Sequence, residues 1–465
     1  MMRAFFLTEA QSWLKARLVD TGVNPDQLCF EGVSTDTRAV QPGQLFVALR
    51  GENFDGHRFI GQALAAGAVA AVVDQADPDV ALPQLVVADT VLALGALAAA
   101  NRRESGVGLI AITGSSGKTT VRQMTSAILT EMGPTLSTEG NLNNHIGVPH
   151  TLFRLAPEHQ YAAVELGASG PGEIAHTVAM ARPRVAILTN AGQAHLEGFG
   201  SYQNIIDAKG EIIDGLADDG VVVLNRDDPA FDQWRRRAGN RQVLSVSREG
   251  RPDADYRASV RVGDDQSLEL AIEGPGGWHC DLVLPLPGIH NAVNALLALA
   301  ACRALGATDE QVVRGLSGVQ PVKGRLQALK LTDDLTVIDD SYNANPASMK
   351  AALDVLAGYS GTRIAVFGAM AELGEGALAL HSDVGAHARA LGIERLLAVG
   401  AGSEGYVQGF GTNAEQVQSH EQAMEAILGG RQGSTTVLVK GSRSSAMECV
   451  VEGIQKKVTN TCCSG

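Results

Sequence analysis

Aromatic side chains, cysteines and basic residues are all scarce in this 465-residue chain, and each scarcity excludes a class of protein. Aromatic residues make up 4% of the sequence. The six cysteines lack zinc-finger spacing, and a chain of this length does not need a disulfide framework, so neither a disulfide-rich protein nor a zinc module is expected. The 37 basic residues are outnumbered by 51 acidic ones. The resulting net charge of −14 argues against a general nucleic-acid-binding protein, which needs a basic surface.

Long apolar runs are also absent. The most apolar stretch, residues 80–100, is interrupted by Pro83 and Asp89 and is too short for a membrane span. Near the N-terminus, Glu9 and Arg17 closely follow a short apolar patch, which is not the pattern of a signal peptide. We therefore expect a cytoplasmic protein with reduced thiols and no membrane span.

The remaining pattern alternates apolar strands with alanine-rich helical stretches, which predicts an α/β protein of about three domains. A small α/β N-terminal domain is predicted over residues 1–85, and a central P-loop-type ATPase domain with a parallel sheet over 86–315. A C-terminal Rossmann-like domain is predicted over 316–465. Residues 254–285 alternate differently and predict an antiparallel excursion. The clearest strands are predicted at 45–49, 108–113, 161–166, 185–189, 221–225, 336–340, 363–368, 395–399 and 436–440, and a helix at 90–104.

A loop rich in glycine and serine connects the strand at 108–113 to a helical stretch. Its glycines allow backbone N–H groups to turn toward phosphate oxygens, and the helix N-terminus adds partial positive charge. Lys118 can neutralise the β- and γ-phosphates, and Thr119 can reach Mg²⁺. The alternative is a chance turn, but the strand–loop–helix context favours a nucleotide site. The residues expected to bind ATP here are Thr113, Gly114, Ser115, Ser116, Gly117, Lys118, Thr119 and Thr120.

The central domain contains three more candidates, two of them near the ends of predicted strands. Glu165 ends one strand, His195 follows the next, and Lys209 lies on a helix. Because ligands collect at the carboxyl ends of strands in an open α/β sheet, Glu165 and His195 are expected beside the phosphate loop. A carboxylate there can bind the Mg²⁺ of a nucleotide. Each residue alone could be structural, but together they predict a catalytic site.

Amide side chains form a second group of candidates. Asn141, Asn143 and Asn144 fall within four positions, where they form either an ordinary loop or a site for a polar, peptide-like or sugar-like ligand. Asn291 stands at the start of a helical stretch. It could cap that helix or pair with the edge of an adenine ring.

The C-terminal domain supplies a third group. Arg325 can stabilise the charge of a transferring phosphoryl group. Asp340, at the end of a predicted strand, can bind a ribose hydroxyl. The segment containing Lys440, Ser442 and Arg443 lies between a strand and a helix and could bind a carboxylate.

These motifs, in this order, resemble the Mur ligase family. The resemblance covers essentially the whole chain, and its most selective segments are EGNLNNHIGVP, AHLEGFGS, DDSYNANPASM, GAMAELG and KGSRSSAMECVV. The family's Thr-Gly-x-x-Gly-Lys-Thr pattern matches Thr113 to Thr119 and accounts for Ile112, where the general phosphate-loop pattern has glycine.

The resemblance implies an ATP-dependent ligase that activates a carboxylate as an acyl phosphate and joins it to an amine. The implied catalytic residues are Lys118, Lys209, His195 and Arg325. Two Mg²⁺ ions are implied, bound by Thr119, Glu165, His195 and a carbamate of Lys209 formed from CO₂. Asn291, Arg325 and Asp340 are implied at the nucleotide. The implied substrate-binding residues are Ser34, Thr35, Asp36, Arg38, His57, Asn141, Asn143, Asn144, Asn343, Asn345, Lys440, Ser442 and Arg443.

Within the family, the segment 340–346 is most similar to that of members that join D-alanyl-D-alanine to UDP-N-acetylmuramoyl-tripeptide during peptidoglycan synthesis. The resemblance thus implies these two substrates as partners of a monomeric enzyme. The alternatives are a sister amide ligase, either another Mur ligase or a folylpolyglutamate synthetase, and a non-catalytic nucleotide-binding protein. The third residue of the tripeptide, diaminopimelate or lysine, stays open.

Overall fold

The computed structural model describes residues 2–19, 22–192, 196–429, 431 and 433–462. In these ranges the three larger sheets have five, nine and six strands, and each belongs to a separate α/β unit along the chain. No helix of the described ranges combines the length and apolar character needed to cross a membrane.

The N-terminal unit is built on the sheet β2-β9-β8-β5-β4, in which only β2 is antiparallel to its neighbour. Strand β8 is an apolar run, AAVV, whose residues are all buried, as expected for a strand covered on both faces. The elements in chain order are β1 (Phe5–Phe6), α1 (Leu7–Leu14), β2 (Arg17–Val19), β3 (Cys29–Phe30), β4 (Val33–Ser34), β5 (Leu45–Val47), β6 (Arg50–Gly51), β7 (Phe54–Asp55), α2 (Ile60–Ala65), β8 (Ala70–Val73) and β9 (Gln84–Val86). Helix α3 (Thr90–Glu104) follows and leads into the central unit.

The central unit has the sheet order β11-β12-β10-β13-β14-β15-β16-β17-β18. Strands β11 to β16 are parallel, and β16 to β18 form the antiparallel excursion that the alternation predicted. The elements are β10 (Gly108–Thr113), α4 (Lys118–Met132), β11 (Thr135–Ser137), α5 (Gly147–Phe153), β12 (Tyr161–Glu165), α6 (Glu173–Ala181), β13 (Val185–Leu188), α7 (Leu196–Phe199), α8 (Tyr202–Asp214), β14 (Val221–Asn225), α9 (Phe231–Ala238), β15 (Gln242–Ser247), β16 (Tyr256–Val262), β17 (Leu268–Gly274), β18 (Trp278–Leu284), α10 (His290–Ala304) and α11 (Asp309–Ser317).

The C-terminal unit has the sheet order β19-β20-β24-β21-β22-β23, with only β19 antiparallel. Helices cover both faces, in agreement with the predicted Rossmann-like pattern. The elements are β19 (Gln327–Thr332), β20 (Leu335–Asp340), α12 (Pro346–Ala357), β21 (Thr362–Gly368), α13 (Ala377–Ala390), β22 (Arg395–Val399), α14 (Glu404–Phe410), β23 (Ala414–Val417), α15 (His420–Gly429), β24 (Thr435–Lys440) and α16 (Glu448–Cys462).

Candidate active site

A cavity of about 1000 Å³ lies where the carboxyl ends of the central strands face the C-terminal unit. It brings together most of the predicted site residues of these two units. The predicted residues that line it are Ser115, Ser116, Gly117, Lys118, Thr119, Thr120, Asn141, Asn143, Asn144, Glu165, Asn291, Arg325, Asp340, Asn343, Asn345, Lys440, Ser442 and Arg443. The described residues that were predicted but lie outside its lining are Ser34, Thr35, Asp36, Arg38, His57, Thr113, Gly114 and Lys209. His195 lies outside the described residues.

The phosphate loop depends on two glycines. Gly114 has a φ of 146°, and a Cβ on it would lie 1.9 Å from Oγ1 of Thr189. Gly117, with a φ of 78°, directly precedes α4, and a Cβ there would lie 2.9 Å from Oδ1 of Asn294. Any side chain at either position would therefore strain or displace the loop. The N-cap residue Gly117 has no side chain to cap α4, so the N-terminus of this helix is suited to an anion.

Residues after β13 brace the same loop. The backbone N–H of Ser115 donates to the carbonyl oxygen of Asn190 over 3.0 Å. The N–H of Ser116 donates to Asn190 Oδ1 over 3.0 Å. The carbonyl oxygen of Ser116 accepts from Thr189 Oγ1 over 2.6 Å. Sequence reasoning missed Asn190, although its position directly after a predicted strand marked it as a candidate. Thr113 is fully buried and donates to the carbonyl of Leu166 over 2.8 Å, which links β10 to β12.

Lys118 is directed into the loop. Its Nζ donates to the carbonyl oxygens of Gly114 over 2.8 Å and Ser115 over 3.4 Å. Desolvation by the surrounding protein lowers the pKa of Lys118, and the charge of Glu165 partly opposes this effect. Among the described residues, no carboxylate forms an ion pair with Lys118, so its charge is available to a bound phosphate.

Arg325 reaches the loop from the C-terminal side of the cavity. Its Nη2 donates to Oγ1 of Thr119 over 3.3 Å, and its guanidinium lies 4.1 Å from the ring centroid of Tyr342. The guanidinium thereby lies over an aromatic face, with Nη2 directed at the phosphate loop.

Glu165 presents a buried carboxylate to the cavity. Its side chain is 3% exposed, and Oε1 accepts from Nδ2 of Asn143 over 2.8 Å. Oε2 lies 3.6 Å from Nε of Arg122, and neither of these buried atoms has a hydrogen-bond partner within the part of the chain that the structure describes. Sequence reasoning also missed Arg122, which lies one helical turn after Lys118 and therefore on the same face of α4.

Lys209 lies behind the cavity wall rather than on a surface. Its side chain is almost fully buried, and Nζ donates to the carbonyl oxygen of Ala168 over 3.2 Å. The same atom lies 5.0 Å from the ring centroid of Phe199. Burial, aided by the charge of Lys118, lowers the pKa of Lys209 to about 7. A neutral amine is thus accessible near neutral pH.

Asn291 lies inside the first turn of α10 and is not its capping residue. Its Nδ2 donates to the carbonyl of Pro287 over 2.7 Å, and its Oδ1 accepts from Asn294 over 2.8 Å. The side chain therefore links the preceding loop to the helix beside Gly117. The capping interpretation is wrong, and the adenine interpretation stays a prediction.

Asp340 forms a buried ion pair with Lys440. Its Oδ2 lies 2.7 Å from Lys440 Nζ, and Oδ1 accepts from the N–H of Leu326 over 3.1 Å. Lys440 also donates to the carbonyl of Asn343 over 2.8 Å. These contacts fasten the loops after β20 and β24 to the segment that carries Arg325.

The other predicted residues after these strands make local contacts. Asn345 caps α12 by accepting from the N–H of Ser348 over 2.9 Å. Arg443 pairs with Glu448 at 2.5 Å, and the hydroxyl of Ser442 lies 3.1 Å from that of Ser444. The three residues therefore line the cavity wall and have polar partners close by in the chain.

The N-terminal candidates form their own clusters. Asp36 pairs with Arg38 at 2.6 Å, and this contact lowers the pKa of Asp36 to about 2. Thr35 Oγ1 lies 3.1 Å from Nε2 of His150 on α5, which joins the N-terminal and central units. Nδ1 of His57 lies 2.8 Å from Oδ1 of Asp55 beside the hairpin β6–β7. The structure thus separates these residues from the phosphate loop and from its cavity lining.

A phosphate loop, a buried carboxylate and an arginine from a second unit around one cavity define a nucleotide-dependent enzyme. The chain belongs to the Mur ligase family. The Mur ligase middle domain matches residues 112–302. The family's glutamate ligase domain matches 324–443, and its catalytic domain matches 30–102.

Individual relatives agree with the family match. The chain is 45% identical to the UDP-N-acetylmuramoyl-tripeptide–D-alanyl-D-alanine ligase of Escherichia coli, with 93% of this chain and 95% of that protein covered. The ligase of the same name from Bacillus subtilis is 34% identical, with 93% of this chain and 95% of that protein covered.

Solved structures agree as well. A crystal structure of MurF from Acinetobacter baumannii is 35% identical, with a TM-score of 0.92, and 98% of this chain and 99% of that chain are covered. The MurF ligase of Thermotoga maritima in complex with ADP has a TM-score of 0.84 at 27% identity, covering 92% and 98% of the two chains. These comparisons confirm the predicted family, the three-domain α/β fold and the ATP-dependent ligase class.

Proposed function

We propose that this chain uses ATP to join D-alanyl-D-alanine to the terminal carboxylate of UDP-N-acetylmuramoyl-tripeptide, in the cytoplasmic stage of peptidoglycan synthesis. The observation that carries the proposal is the convergence of Lys118, Glu165 and Arg325 on one cavity between the central and C-terminal units. A relative that is named for this reaction is 45% identical over 434 residues. We propose that the enzyme works as a monomer.

The chemistry follows from the charges around the cavity. The tripeptide carboxylate attacks the γ-phosphorus of ATP, an O–P bond forms, and ADP leaves. The amine of the dipeptide then attacks the acyl carbon, and the tetrahedral intermediate loses inorganic phosphate and a proton to give the amide. Lys118 and Arg325 offset the negative charge on the transferring phosphoryl group. Enclosure between two units keeps water away from the acyl phosphate.

The site fits Mg²⁺. Oε2 of Glu165 is buried and has no hydrogen-bond partner in the described ranges, and carboxylate oxygens are ligands that this cation prefers. We propose that Glu165, Thr119, His195 and Lys209 bind two Mg²⁺ ions together with phosphate oxygens. When bound, these ions would neutralise phosphate charge and orient the nucleotide.

Lys209 is proposed to bind the second ion as a carbamate. An ammonium would repel Mg²⁺, whereas the neutral amine can attack CO₂, forming an N–C bond and releasing a proton. Burial and a pKa of about 7 favour the neutral amine. The alternative of a surface lysine paired with Glu211 does not suit this environment, because Glu211 accepts hydrogen bonds from the backbone N–H groups of Gly172 and Ala175.

The remaining assignments divide the substrates among the units. We propose residues 1–85, 86–315 and 316–465 as the UDP-sugar-binding, ATP-binding and C-terminal domains. Helix α11 extends to Ser317 and packs on α4 at Gly315, which favours placing the second boundary just after the helix. Asn291 is proposed at the adenine and Asp340 at the ribose. The proposed UDP-substrate contacts in the first domain are Ser34, Thr35, Asp36, Arg38 and His57, and the proposed peptide contacts are Asn141, Asn143, Asn144, Asn343, Asn345, Lys440, Ser442 and Arg443.

The test is phosphate release from ATP with UDP-N-acetylmuramoyl-tripeptides and a panel of amine substrates. Release should require the tripeptide and D-alanyl-D-alanine together, with free D-alanine or single L-amino acids much less effective. Diaminopimelate- and lysine-containing tripeptides, supplied separately, identify the third residue. Full turnover of a shorter UDP-peptide with one amino acid would replace the proposal with that of a sister ligase. ATP turnover that no panel member stimulates would favour a non-catalytic nucleotide-binding role.

A further inference from the structure

The segment GAMAELG forms a loop at the cavity whose role the proposed reaction leaves unexplained. We call residues 369–373 the Met370 loop. It follows β21, and three of its residues, Ala371, Glu372 and Leu373, line the C-terminal side of the cavity. Its Ala369 carbonyl accepts from the N–H of Ser442 over 3.1 Å, so the loop is joined to another segment of the cavity wall.

The backbone of this loop is strained. Glu372 has a φ of 59°, a left-handed conformation that residues other than glycine rarely adopt. Such a conformation persists only where surrounding contacts impose it. The carbonyl of Glu372 also accepts from the N–H of Glu197 at the start of α7, over 3.5 Å, so the loop contacts the central unit across the cleft.

One histidine supplies the contact in the middle of the loop. His381 on α13 is 2% exposed, and its Nε2 accepts from the backbone N–H of Met370 over 2.9 Å. Nδ1 lies 2.6 Å from the carbonyl oxygen of Ala377, which can only accept, so Nδ1 carries the proton. The imidazole must therefore be neutral, and burial lowers its pKa in agreement with this state.

A tyrosine orients the histidine. Tyr406 on α14 is fully buried, and its ring lies edge-on to that of His381 with centroids 4.6 Å apart. Its hydroxyl donates to the carbonyl of Gly368 over 3.2 Å, at the point where β21 ends and the loop begins. The ring of His381 thus has one orientation, with Nε2 directed at the loop.

We propose that His381 is a positioning residue that fixes the Met370 loop and thereby sets the affinity of the cavity for the amine substrate. The proposal rests on the proposed function, in which Lys440, Ser442 and Arg443 contact peptide on the side of the cavity that the Met370 loop also lines. His381 does not line the cavity, so it acts only through the loop. The phosphate loop belongs to the central unit, and the affinity for ATP is expected to change little.

The test compares His381→Leu, which removes the acceptor, with His381→Gln, whose side-chain oxygen can accept near the position of Nε2. His387→Leu is the matched control, because His387 lies on the same helix but is paired with Asp354. Hydrogen exchange by mass spectrometry on peptides covering 366–376 should be accelerated about tenfold or more in His381→Leu, since a buried amide loses its acceptor. His381→Gln and the control should exchange like the wild type.

Steady-state kinetics supply the second readout. In His381→Leu the KM for D-alanyl-D-alanine should rise about tenfold, the effect of one lost hydrogen bond, while the KM for ATP changes less than about twofold. Wild-type exchange in the loop of a folded His381→Leu protein would overturn the proposal, as would an equal rise of both KM values. If His381→Leu does not fold, His381→Asn decides, because its shorter side chain places no acceptor near the position of Nε2: faster exchange confined to the loop supports the proposal, and wild-type exchange refutes it. Hydrogen exchange needs no substrate, so a wild type inactive with the dipeptide would overturn the proposed function separately.

Discussion

Oε2 of Glu165 and Nε of Arg122 lie 3.6 Å apart, both buried and both without a hydrogen-bond partner among the described residues. The distance is too long for a hydrogen bond but short enough for attraction between opposite charges. Nη1 of Arg122 donates to Oγ of Ser137 over 3.0 Å, which fixes the guanidinium in place. The carboxylate oxygen therefore has a defined position and is available to a cation.

Glu165→Gln should raise the Mg²⁺ concentration needed for half-maximal activity by about tenfold or more, because an anionic ligand becomes neutral. The measurement is ATP turnover as a function of Mg²⁺, with chelation of the metal abolishing turnover in the wild type. Glu139→Gln is the control, since Glu139 is exposed and pairs with Arg154. An unchanged Mg²⁺ dependence in Glu165→Gln would remove this carboxylate from the metal site.

Lys118→Ala should lower kcat by about 100-fold or more, because the transferring phosphoryl group loses a preorganised positive charge. The fold should survive, since within the described residues the Lys118 amine hydrogen-bonds to backbone carbonyls of its own loop. Phosphate release and thermal unfolding measure the two effects. Lys330→Ala removes an exposed lysine that pairs with Asp333 and should behave like the wild type. Near-normal turnover of Lys118→Ala would exclude the loop from the mechanism.

Lys209→Ala should be nearly inactive, with kcat reduced about 100-fold or more because an anionic ligand of the proposed metal site is lost. Partial recovery on addition of a short carboxylic acid would identify a missing carbamate, since the acid supplies equivalent oxygens. Wild-type activity should also fall in CO₂-depleted buffer and below about pH 7, where the amine is protonated. Lys350→Ala, which removes a partly exposed partner of Asp383, is the control. Full activity of Lys209→Ala in CO₂-depleted buffer would refute the carbamate.

Lys209 should also make stability depend on pH. Its folded-state pKa of about 7 lies below the ordinary value of 10.5, so between these values the unfolded chain binds more protons. The contribution of this lysine to the free energy of unfolding therefore rises with pH across that window. Urea unfolding should show Lys209→Met more stable than the wild type at pH 6.5, by roughly 2–5 kcal/mol, with the advantage shrinking by pH 9.5. A pH-independent difference would contradict the burial of a titrating amine.

Asp340→Asn should destabilise the protein by about 3–5 kcal/mol, because Lys440 would be left buried without its counter-charge. The double variant Asp340→Asn with Lys440→Met should lose less than the sum of the single variants, as expected for a coupled pair. Urea unfolding measures both quantities. If Asp340→Asn kept wild-type stability and raised only the KM for ATP, the carboxylate would serve the nucleotide instead of the ion pair.

The local sequence was sufficient to predict a strand or helix where its bounds depend on a single segment of the chain. Strand β10 and helix α3 lie at the predicted bounds, because the first is an apolar run buried in a parallel sheet and the second has Asp89 as its N-cap. Strands β12 and β13 end one residue earlier than predicted. Their last predicted residues, Leu166 and Thr189, already belong to the loops that form the site.

Contacts between distant segments were not predictable in the same way. Asp340 and its partner Lys440 lie 100 positions apart, and Arg122 and Asn190 carried no motif of their own. The alternation of the N-terminal unit predicted its strands but did not indicate that Thr35 would contact His150 rather than the cavity. Contacts of this kind depend on how the folded units pack against each other, and a local sequence pattern does not predict that packing.

The nucleotide site could be predicted from the residues, because the backbone path of a phosphate loop requires glycine at Gly114 and Gly117 and a lysine beside them. Which charged groups meet, and which are buried, depends instead on how the folded units pack. The residues around Lys209 in the sequence are those of an ordinary helix. The packing of α8 against the loop at Ala168 nevertheless buries the Lys209 amine and lowers its pKa to about 7. The charge state of such a group depends on its burial and on the charges that folding places near it, and neither can be predicted from the adjacent residues in the sequence.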